Sequence, residues 1–478
     1  MHFKAEILSH EEQVRVHEQS LRILAEVGVR YHGKKALKIL ADAGARVDQE
    51  TNIARIPSQL IEMTLAAAPK SFTLGARNPQ FDLPLPSPVS YYCMDGTAAF
   101  ALDFETGKRR YGLRQDIHNA MRIFQGLDLG RMAWAPTAAS DVPAPSRAIH
   151  EFIEMARFCS KHGEHELHSV AQVPYLVAGL SAILGGEEEL RRRKAYSLIY
   201  CPVAPLTHDG EMLDAYLELG EYEMPVMIMP MPIPGSTGPA SLFANLSLAN
   251  AEVLSSIAVF QLAHPGRPLV YSSAVGNLDF RTGDFLGGTP EMTLQSAALT
   301  VMGRFYNLPS ASAGCTSDAQ EPGAQAVFEK LLTTLPPVLV GADIIVGIGE
   351  IQGDQMLVLE QMIVDHEIAC QCQRLYTGID ASENKALFDD IARVGPGGHF
   401  LGTKSSRQAP RSGEFYFSKL LERSSYETWL ELGKPSMYTR ARQQVQSILS
   451  APLVDPLSEA VNQQVDDILR RADAELAG

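Results

Sequence analysis

Residues 309–330, PSASAGCTSDAQEPGAQAVFEK, read as a strand, a loop and a helix in succession. The small residues from Ser310 to Gly314 suit a buried strand, and the run from Ala324 to Lys330 has the apolar spacing of a helix. Small side chains on a strand let other groups approach the backbone closely, so the polar loop between the two elements can line a cavity. The same composition also suits an ordinary turn rich in loop-forming residues.

The same strand-to-helix alternation extends over most of the chain from about residue 130, with a repeat of roughly 35 to 40 residues. The candidate strands are residues 132–135, 166–170, 196–200, 226–229, 269–272, 310–313 and 344–346. The helical stretches that follow them are 147–160, 173–185, 210–222, 240–263, 289–305, 321–335 and 354–373. Residues 90–94 are a candidate eighth strand, separated from a helix at 113–127 by a hairpin-like segment. The alternation predicts a (β/α)8 TIM-type barrel, an α/β fold, rather than a doubly wound sheet, because no G-x-G-x-x-G follows the first strand.

Segments of different character flank this barrel. Residues 1–112 read as N-terminal helices and a β-rich cap, which could contribute one barrel strand. Residues 113–373 form the barrel, and residues 374–478 form a C-terminal loop and helical extension. Its two charged amphipathic helices, at 438–450 and 457–476, suit a packing or oligomer surface rather than a catalytic one.

Composition narrows the range of partners. The 478 residues are 45% hydrophobic and carry a net charge of −15, which argues against nucleic acid and favours small cations or protein surfaces. Six scattered cysteines form no disulfide framework, and no apolar run is long enough to cross a bilayer, so we expect a cytoplasmic protein. The ligand-type residues His366, Cys370 and Cys372 point in different directions on one helix, so we predict no metal site.

In such barrels the functional groups follow the carboxyl ends of the strands. The aromatic residues near these ends include Trp134, Tyr200 and Tyr271, and the carboxylate Glu350 follows the strand at 344–346. Aromatic faces with a carboxylate suit a quaternary ammonium group, which has no N–H to donate and is held by cation–π contact and charge. The alternative for each aromatic residue is packing in the barrel core.

Four loops taken together resemble the trimethylamine:corrinoid methyltransferase family. They are Pro202-x-x-Pro205-Leu206, the loop at 231–239 (MPIPGSTGP), the segment 317–326 and the turn GPGGHFLG at 395–402. The resemblance covers nearly the whole chain. It implies a barrel that takes a methyl group from a methylamine and passes it to the Co(I) of a corrinoid (cobalamin) carried by a separate protein, which docks over the barrel mouth.

Within that family, archaeal trimethylamine members carry pyrrolysine in the region that corresponds to residues 309–330. This segment holds only ordinary residues, so the chain resembles the non-pyrrolysine branch, which includes glycine betaine:corrinoid methyltransferase. The resemblance implies a quaternary amine substrate, with glycine betaine giving dimethylglycine as the first candidate. A quaternary ammonium already has a neutral amine as its leaving group, so we assign no catalytic acid, base or nucleophile. We expect the enzyme to accelerate methyl transfer by positioning the substrate and removing its hydration water.

From the strand-end positions and the family loops we expect a substrate site of nine residues. They are Trp134, Tyr200, Tyr271 and Phe400 for an aromatic cage, Glu350 to balance charge, His208 or His399 to hold the betaine carboxylate, and Asp318 and Gln320 as further lining. The expected partners are the small substrate, a cognate corrinoid protein and further copies of the chain in a homo-oligomer. No tightly bound cofactor, nucleic acid or membrane is expected.

Three alternatives stay open at this stage. The substrate could be another quaternary amine such as proline betaine or carnitine, or the barrel could bind betaine without catalysis. A barrel lyase or aldolase would need a lysine converging on the strand ends, and no strand end shows one.

Overall fold

A closed barrel of eight short parallel strands forms the centre of the protein, which we describe from a computed structural model for residues 4–476. The strands are β1 Tyr91–Met94, β2 Gly130–Trp134, β3 His162–His165, β4 Tyr196–Tyr200, β5 Val226–Ile228, β6 Leu269–Tyr271, β7 Ala311–Ala313 and β8 Ile344–Ile348. Each pairs with the next in chain order, and β8 returns to pair with β1. A parallel bridge between Tyr271 and Ser310 joins β6 to β7 and completes the circle. The predicted (β/α)8 barrel is confirmed, including the strand expected at residues 90–94.

Strand β3 lies four residues earlier than the sequence predicted. We expected residues 166–170, but His162–His165 pair with β2 and β4, residues 166–169 form the loop that follows, and Val170 begins a short 3-10 helix. The strand HGEH is entirely buried although three of its four residues are polar. The sequence did not predict this strand because its side chains are mostly polar, and an apolar run is the main signal for a buried strand.

A short helix, Glu187–Arg193, precedes β4, and eight further helices surround the barrel, one after each strand. They are α1 Arg114–Gln125, α2 Arg147–Phe158, α3 Val173–Leu184, α4 Gly210–Glu218, α5 Leu242–Ala263, α6 Pro290–Phe305, α7 Ala324–Leu339 and α8 Leu359–Thr377. Capping residues determine where several of these helices begin. The Asp209 carboxylate accepts from the Met212 amide at the start of α4, and Thr289 caps α6, whose first residue is Pro290. These starts place the strand-to-helix loops at one end of the barrel, which we call the mouth.

Helix α5 is the one described helix long and apolar enough to cross a membrane, and 83% of its most apolar window is buried inside the protein. It packs against α6 and against N-terminal helices at His10–Arg22 and Ser58–Ala67. Such burial is typical of a core helix.

The N-terminal segment forms a layer outside the barrel. A third helix, Lys34–Asp42, is followed by a hairpin of strands Arg46–Asp48 and Ile53–Arg55, and Ile53–Arg55 also pairs with Val29–Tyr31. Strand Val29–Tyr31 also pairs with Thr207–His208 in the loop before α4, which ties the layer to the barrel. Short strands complete the two ends of the barrel. Phe72–Leu74 pairs with Leu83–Leu85, and Phe100–Leu102, Arg109–Tyr111, Glu350–Ile351 and Met356–Leu357 form one sheet.

The C-terminal segment contains the helices Phe388–Val394, Lys404–Gln408, Tyr426–Glu431, Met437–Ser450 and Glu459–Leu476. Helix Met437–Ser450 packs against α8 and helix Glu459–Leu476 packs against α3. They bury Val445 and Leu469 against the barrel's outer ring. Both long helices therefore pack on their own barrel.

Candidate active site at the barrel mouth

Five carboxylates gather at the mouth, near the ends of β8, β1 and β3. Asp95 follows β1, Glu164 lies on β3 with Glu166 just after it, and Glu350 and Asp354 follow β8. Glu164 and Glu350 are fully buried, and the other three are half-buried at the mouth. The active sites of (β/α)8 barrels lie at this end, so the cluster marks the candidate site.

Glu164 points into the barrel from β3. The Cys93 thiol donates to Oε1 at 3.3 Å, and the Ser197 hydroxyl lies 3.4 Å from Oε2. Burial raises the pKa of Glu164 to about 8 and the neighbouring Glu166 carboxylate adds to the rise, although the two donors oppose it. The cluster therefore contains at least one carboxyl group that holds its proton near neutral pH.

Glu350 has the least compensated charge of the cluster. Both its carboxylate oxygens are buried, and neither makes a hydrogen bond within the described part of the chain. Burial raises its pKa well above the usual value, and the nearby carboxylates of Asp95 and Asp354 raise it further. Burial likewise raises the pKa of Asp95 to about 6. A cation entering the mouth would relieve this repulsion and favour the charged carboxylates.

Lys330 is the cation that acts on these groups, and its charge is already balanced. Its Nζ lies 2.9 Å from the Asp365 carboxylate and donates to the carbonyl oxygens of Cys315, at 2.5 Å, and Gly347, at 3.1 Å. Both members of the pair are fully buried. Asp365 also accepts from the Gly349 amide at 2.8 Å. The pair thus fastens the ends of β7 and β8 together beneath Glu350.

Two lining residues predicted from the sequence lie in the loop after β7. The Asp318 carboxylate accepts from the amides of Gly287 and Gly288, at 2.7 and 2.9 Å, so it ties this loop to the one after β6. Gln320 is exposed, and its carbonyl oxygen lies 3.3 Å from the Gln352 amide nitrogen. Asp318 thus shapes the mouth by fixing a loop, and Gln320 lies at its outer rim.

Trp134 forms part of the wall beside Asp95. Its Nε1–H donates to His165 Nδ1 at 3.1 Å, and His165 Nε2 lies 3.0 Å from a Glu151 carboxylate oxygen. Residue 96 must be glycine for this packing, because a Cβ there would lie 2.4 Å from the indole ring. Trp134 is the one aromatic of the expected cage that the structure places at the mouth.

Tyr200 and His208 lie outside the barrel wall, contrary to expectation. The Tyr200 ring packs against Tyr216 on α4 and Phe260 on α5, and its hydroxyl bonds to His208 Nδ1 at 2.7 Å. His208 Nε2 bonds to the Ser255 hydroxyl at 2.9 Å. Burial lowers the pKa of His208 to about 3, so the ring is neutral and offers no positive charge to a substrate carboxylate.

Tyr271 is also directed towards the helices. Its hydroxyl donates to Asn250 Oδ1 on α5 at 2.7 Å, and its ring contacts Tyr306. Alternate residues of a strand face opposite sides, and for both Tyr200 and Tyr271 the outward side is the one that carries the ring. The sequence showed their nearness to the strand ends but not the face.

His399 and Phe400 lie in a segment that leaves the far end of the barrel. Helix α8 begins at the mouth and returns to that end, where Gln373 accepts from the Ser90 amide just ahead of β1. The chain then continues into the segment with His399 and Phe400, both exposed. No bond or ring contact joins either residue to the mouth of its own chain among residues 4–476.

The comparison with protein families settles the relationship of the chain. The model of a family described as trimethylamine methyltransferase (MTTB) matches residues 2–477. The chain belongs to this methyltransferase family.

Relatives with different names match the chain about equally well. Trimethylamine methyltransferase MttB of Methanosarcina barkeri is 29% identical over 99% of this chain and 96% of its own length. Glycine betaine methyltransferase of Desulfitobacterium hafniense is 30% identical over 96% of this chain and 95% of its own. Among solved structures, the monomethylamine methyltransferase MtmB of M. barkeri aligns with a TM-score of 0.49 and 12% identity, over 97% of this chain and 92% of that one.

In this methyltransferase family member, the sequence interpretation missed most of the carboxylate cluster. Asp95 and Glu164 were not recognised, because Asp95 follows a strand far from its helix and Glu164 lies on the strand whose position was wrong. Lys330 was regarded only as the end of a helix. The signal in the sequence that could have revealed these residues is the presence of ionisable side chains on or just after predicted strands. Ionisable groups buried at such positions usually have a functional or structural role.

Proposed function

We propose that this protein transfers a methyl group from a quaternary amine to the Co(I) of a corrinoid carried by a partner protein. The observation that supports the proposal is the carboxylate cluster of Asp95, Glu350 and Asp354 at the mouth, where the cation that acts on these groups, Lys330, is already paired with Asp365. A permanent cation without N–H groups is the substrate type that such a site favours, since charge can hold it without hydrogen bonds.

The chain's residues bind, orient and desolvate the substrate. Glu350 and Asp354 would lie against the ammonium head group, and Trp134 would supply an aromatic wall. The corrinoid supplies a nucleophilic metal that accepts the methyl group. Charge on the ammonium disappears as the methyl group leaves, so a mouth poor in water lowers the barrier by removing hydration of the cation. No proton transfer is needed to release the neutral amine.

The partner would dock on loops beside the cluster. Exposed apolar side chains lie on the loops after three consecutive strands: Val203 after β4, Met231 after β5 and Phe280 after β6. The Phe280 ring packs beside Gly235, where a Cβ would lie 2.5 Å from it. Exposed apolar residues on adjacent loops are typical of protein interaction sites.

Glycine betaine is the first substrate to test, since one relative is named for it. A quaternary amine without a carboxylate, such as choline, is the second candidate. The observation behind it is that His208 is neutral and outside the wall, while His399 is exposed in the segment after α8 and makes no bond to the mouth among residues 4–476. Neither residue is positioned to hold the carboxylate of a betaine bound at the mouth of its own chain.

The test incubates the protein with reduced cobalamin and each of glycine betaine, proline betaine, carnitine, choline and trimethylamine. Formation of methylcobalamin is followed by absorbance and the demethylated amine by mass spectrometry. We expect turnover with a quaternary amine, strongly reduced in Glu350→Gln and unchanged in the control Glu223→Gln, whose carboxylate bonds to Lys194 outside the mouth. Turnover with trimethylamine alone, or binding without turnover, would refute the proposal.

A further inference from the structure

Two consecutive serines directly after strand β6 are buried without a hydrogen-bond partner. Ser272 and Ser273 are both completely buried, and neither hydroxyl bonds to another group among residues 4–476. Burying a hydroxyl without a partner costs free energy, so such groups are few in folded proteins and each needs a reason. The direction in which each hydroxyl points decides what it can bind.

Backbone hydrogen bonds continue past the last residue of β6 and determine these directions. The amides of Ser272 and Ala274 each donate, at 3.0 Å, to a carbonyl oxygen of β5 or of its continuation, so this part of the chain stays extended. Side chains alternate between the two faces of an extended strand, and the ring of Tyr271 faces the surrounding helices. Ser272 therefore faces the barrel interior, and Ser273 faces the helices.

Ser272 lies in a layer of the barrel interior that offers its hydroxyl no partner. Inward side chains of such barrels form layers of four, contributed by alternate strands. Cys93 and Glu164 share one layer, since their side chains bond at 3.3 Å, and the strand register places Ser272 in the next layer towards the mouth. The other members of that layer are Trp134, Ile199 and Val346. The Trp134 indole N–H already donates to His165, and the other two side chains are apolar.

A substrate bound at the mouth would extend its tail to the depth of Ser272. Asp95 and Glu166 occupy the inward positions one layer nearer the mouth, so a cation beside them lies above Ser272. One methyl group must point out of the mouth to reach the partner's corrinoid, so the rest of the molecule points into the barrel. Successive layers are about 3.3 Å apart, a distance that a two-carbon tail spans. The small inward residues of β7, Ala311 and Ala313, leave room for this tail.

We infer that Ser272 binds the tail of the substrate and that this tail ends in a neutral hydroxyl, as in a hydroxyalkyl trimethylammonium ion such as choline. The inference rests on the proposed function and distinguishes between the kinds of tail considered there. A serine hydroxyl can both donate to an alcohol and accept from it. A carboxylate tail would instead be repelled by the carboxylates at the mouth, because Lys330, the cation that acts on them, is already paired with Asp365.

The test measures binding by isothermal titration calorimetry at neutral pH, without cobalamin, for choline, glycine betaine and tetramethylammonium. Tetramethylammonium has the cationic head group but no tail, so it reports on the cation site alone. Wild type should bind choline about threefold to tenfold more tightly than tetramethylammonium, the gain expected from one hydrogen bond, and more tightly than glycine betaine. Ser272→Ala should bind choline only as tightly as tetramethylammonium, with the affinity for tetramethylammonium unchanged.

Ser273→Ala is the matched control, since Ser273 is equally buried and also without a partner in the described chain but faces the helices. It should leave all three affinities unchanged. Neither variant should melt earlier than wild type, because neither loses a hydrogen bond.

Three outcomes would overturn the inference and leave the cation site standing. They are tighter binding of glycine betaine than of choline to wild type, equal losses of choline and tetramethylammonium affinity in Ser272→Ala, and a loss of choline affinity in Ser273→Ala as large as in Ser272→Ala. Failure of tetramethylammonium and choline to bind wild type would overturn the cation site of the proposed function, and the inference with it.

Discussion

Replacing Lys330 by methionine should be among the most damaging single changes in the barrel. The substitution keeps the length of the side chain but removes its charge and three bonds, to Cys315, Gly347 and Asp365. Asp365 would then be a fully buried carboxylate without its counter-ion. Removing one partner of a buried pair costs about 3–5 kcal/mol, so Lys330→Met should lower the free energy of unfolding by that amount.

A double-mutant cycle separates the pair from its surroundings. In Lys330→Met/Asp365→Leu no charge is left buried without a partner, so the loss should be several kcal/mol smaller than the sum of the two single losses. Urea unfolding followed by circular dichroism measures each variant. Lys38→Met, at an exposed helix position, should stay within about 0.5 kcal/mol of wild type. A single variant as stable as wild type, or losses that simply add, would refute the role given to the pair.

Four further changes test the charges at the mouth and the hydrogen-bonded histidine. Glu350→Gln should raise KM for the quaternary amine at least about tenfold, and it should raise the melting temperature at pH 8, because an unpaired buried charge is removed. Binding of a quaternary amine, measured by calorimetry, should tighten between pH 5.5 and 7.5, since Asp95, with its pKa of about 6, must lose a proton to meet the cation. Glu164 has a folded pKa of about 8, above its unfolded value, so the native state holds the extra proton and loses stability as pH rises from about 5 to 8; Glu164→Gln should flatten that slope in urea midpoints. His208→Ala should cost about 2–4 kcal/mol of stability through two lost hydrogen bonds but leave the preference between glycine betaine and choline unchanged, and a change in that preference at full stability would contradict its position.

The barrel was predictable because its parallel strands are buried on both faces and leave apolar runs in the sequence. Tyr196–Tyr200 and Ile344–Ile348 are such strands, and both were located correctly at their starts. Strand His162–His165 was predicted four residues too late because its buried groups are imidazole and carboxylate side chains, whose hydrogen-bond partners are distant in sequence. His162 bonds to the Gly75 carbonyl oxygen and to Ser197, for example.

The site was less predictable than the fold. Nearness to a strand end can be read from the sequence, but the face on which a ring lies depends on the register of neighbouring strands, and one residue of shift reverses it. Tyr200 and Tyr271 show the outcome, and Glu350 shows the opposite case, where position alone was enough to place the residue at the mouth. The pairing of Lys330 with Asp365 joins residues 35 positions apart on different helices. A contact between residues so far apart cannot be predicted from a local sequence pattern.

The position of Trp134 gives the protein a spectroscopic signal at its mouth. The chain has only two tryptophans, Trp134 and Trp429, and the second lies in the C-terminal segment. Trp429→Phe would leave a single fluorophore, hydrogen-bonded to His165 and covered by the Gly96 backbone beside Asp95. Its emission would then follow the arrival of a cation or a change of charge in the cluster directly, without a label and without turnover.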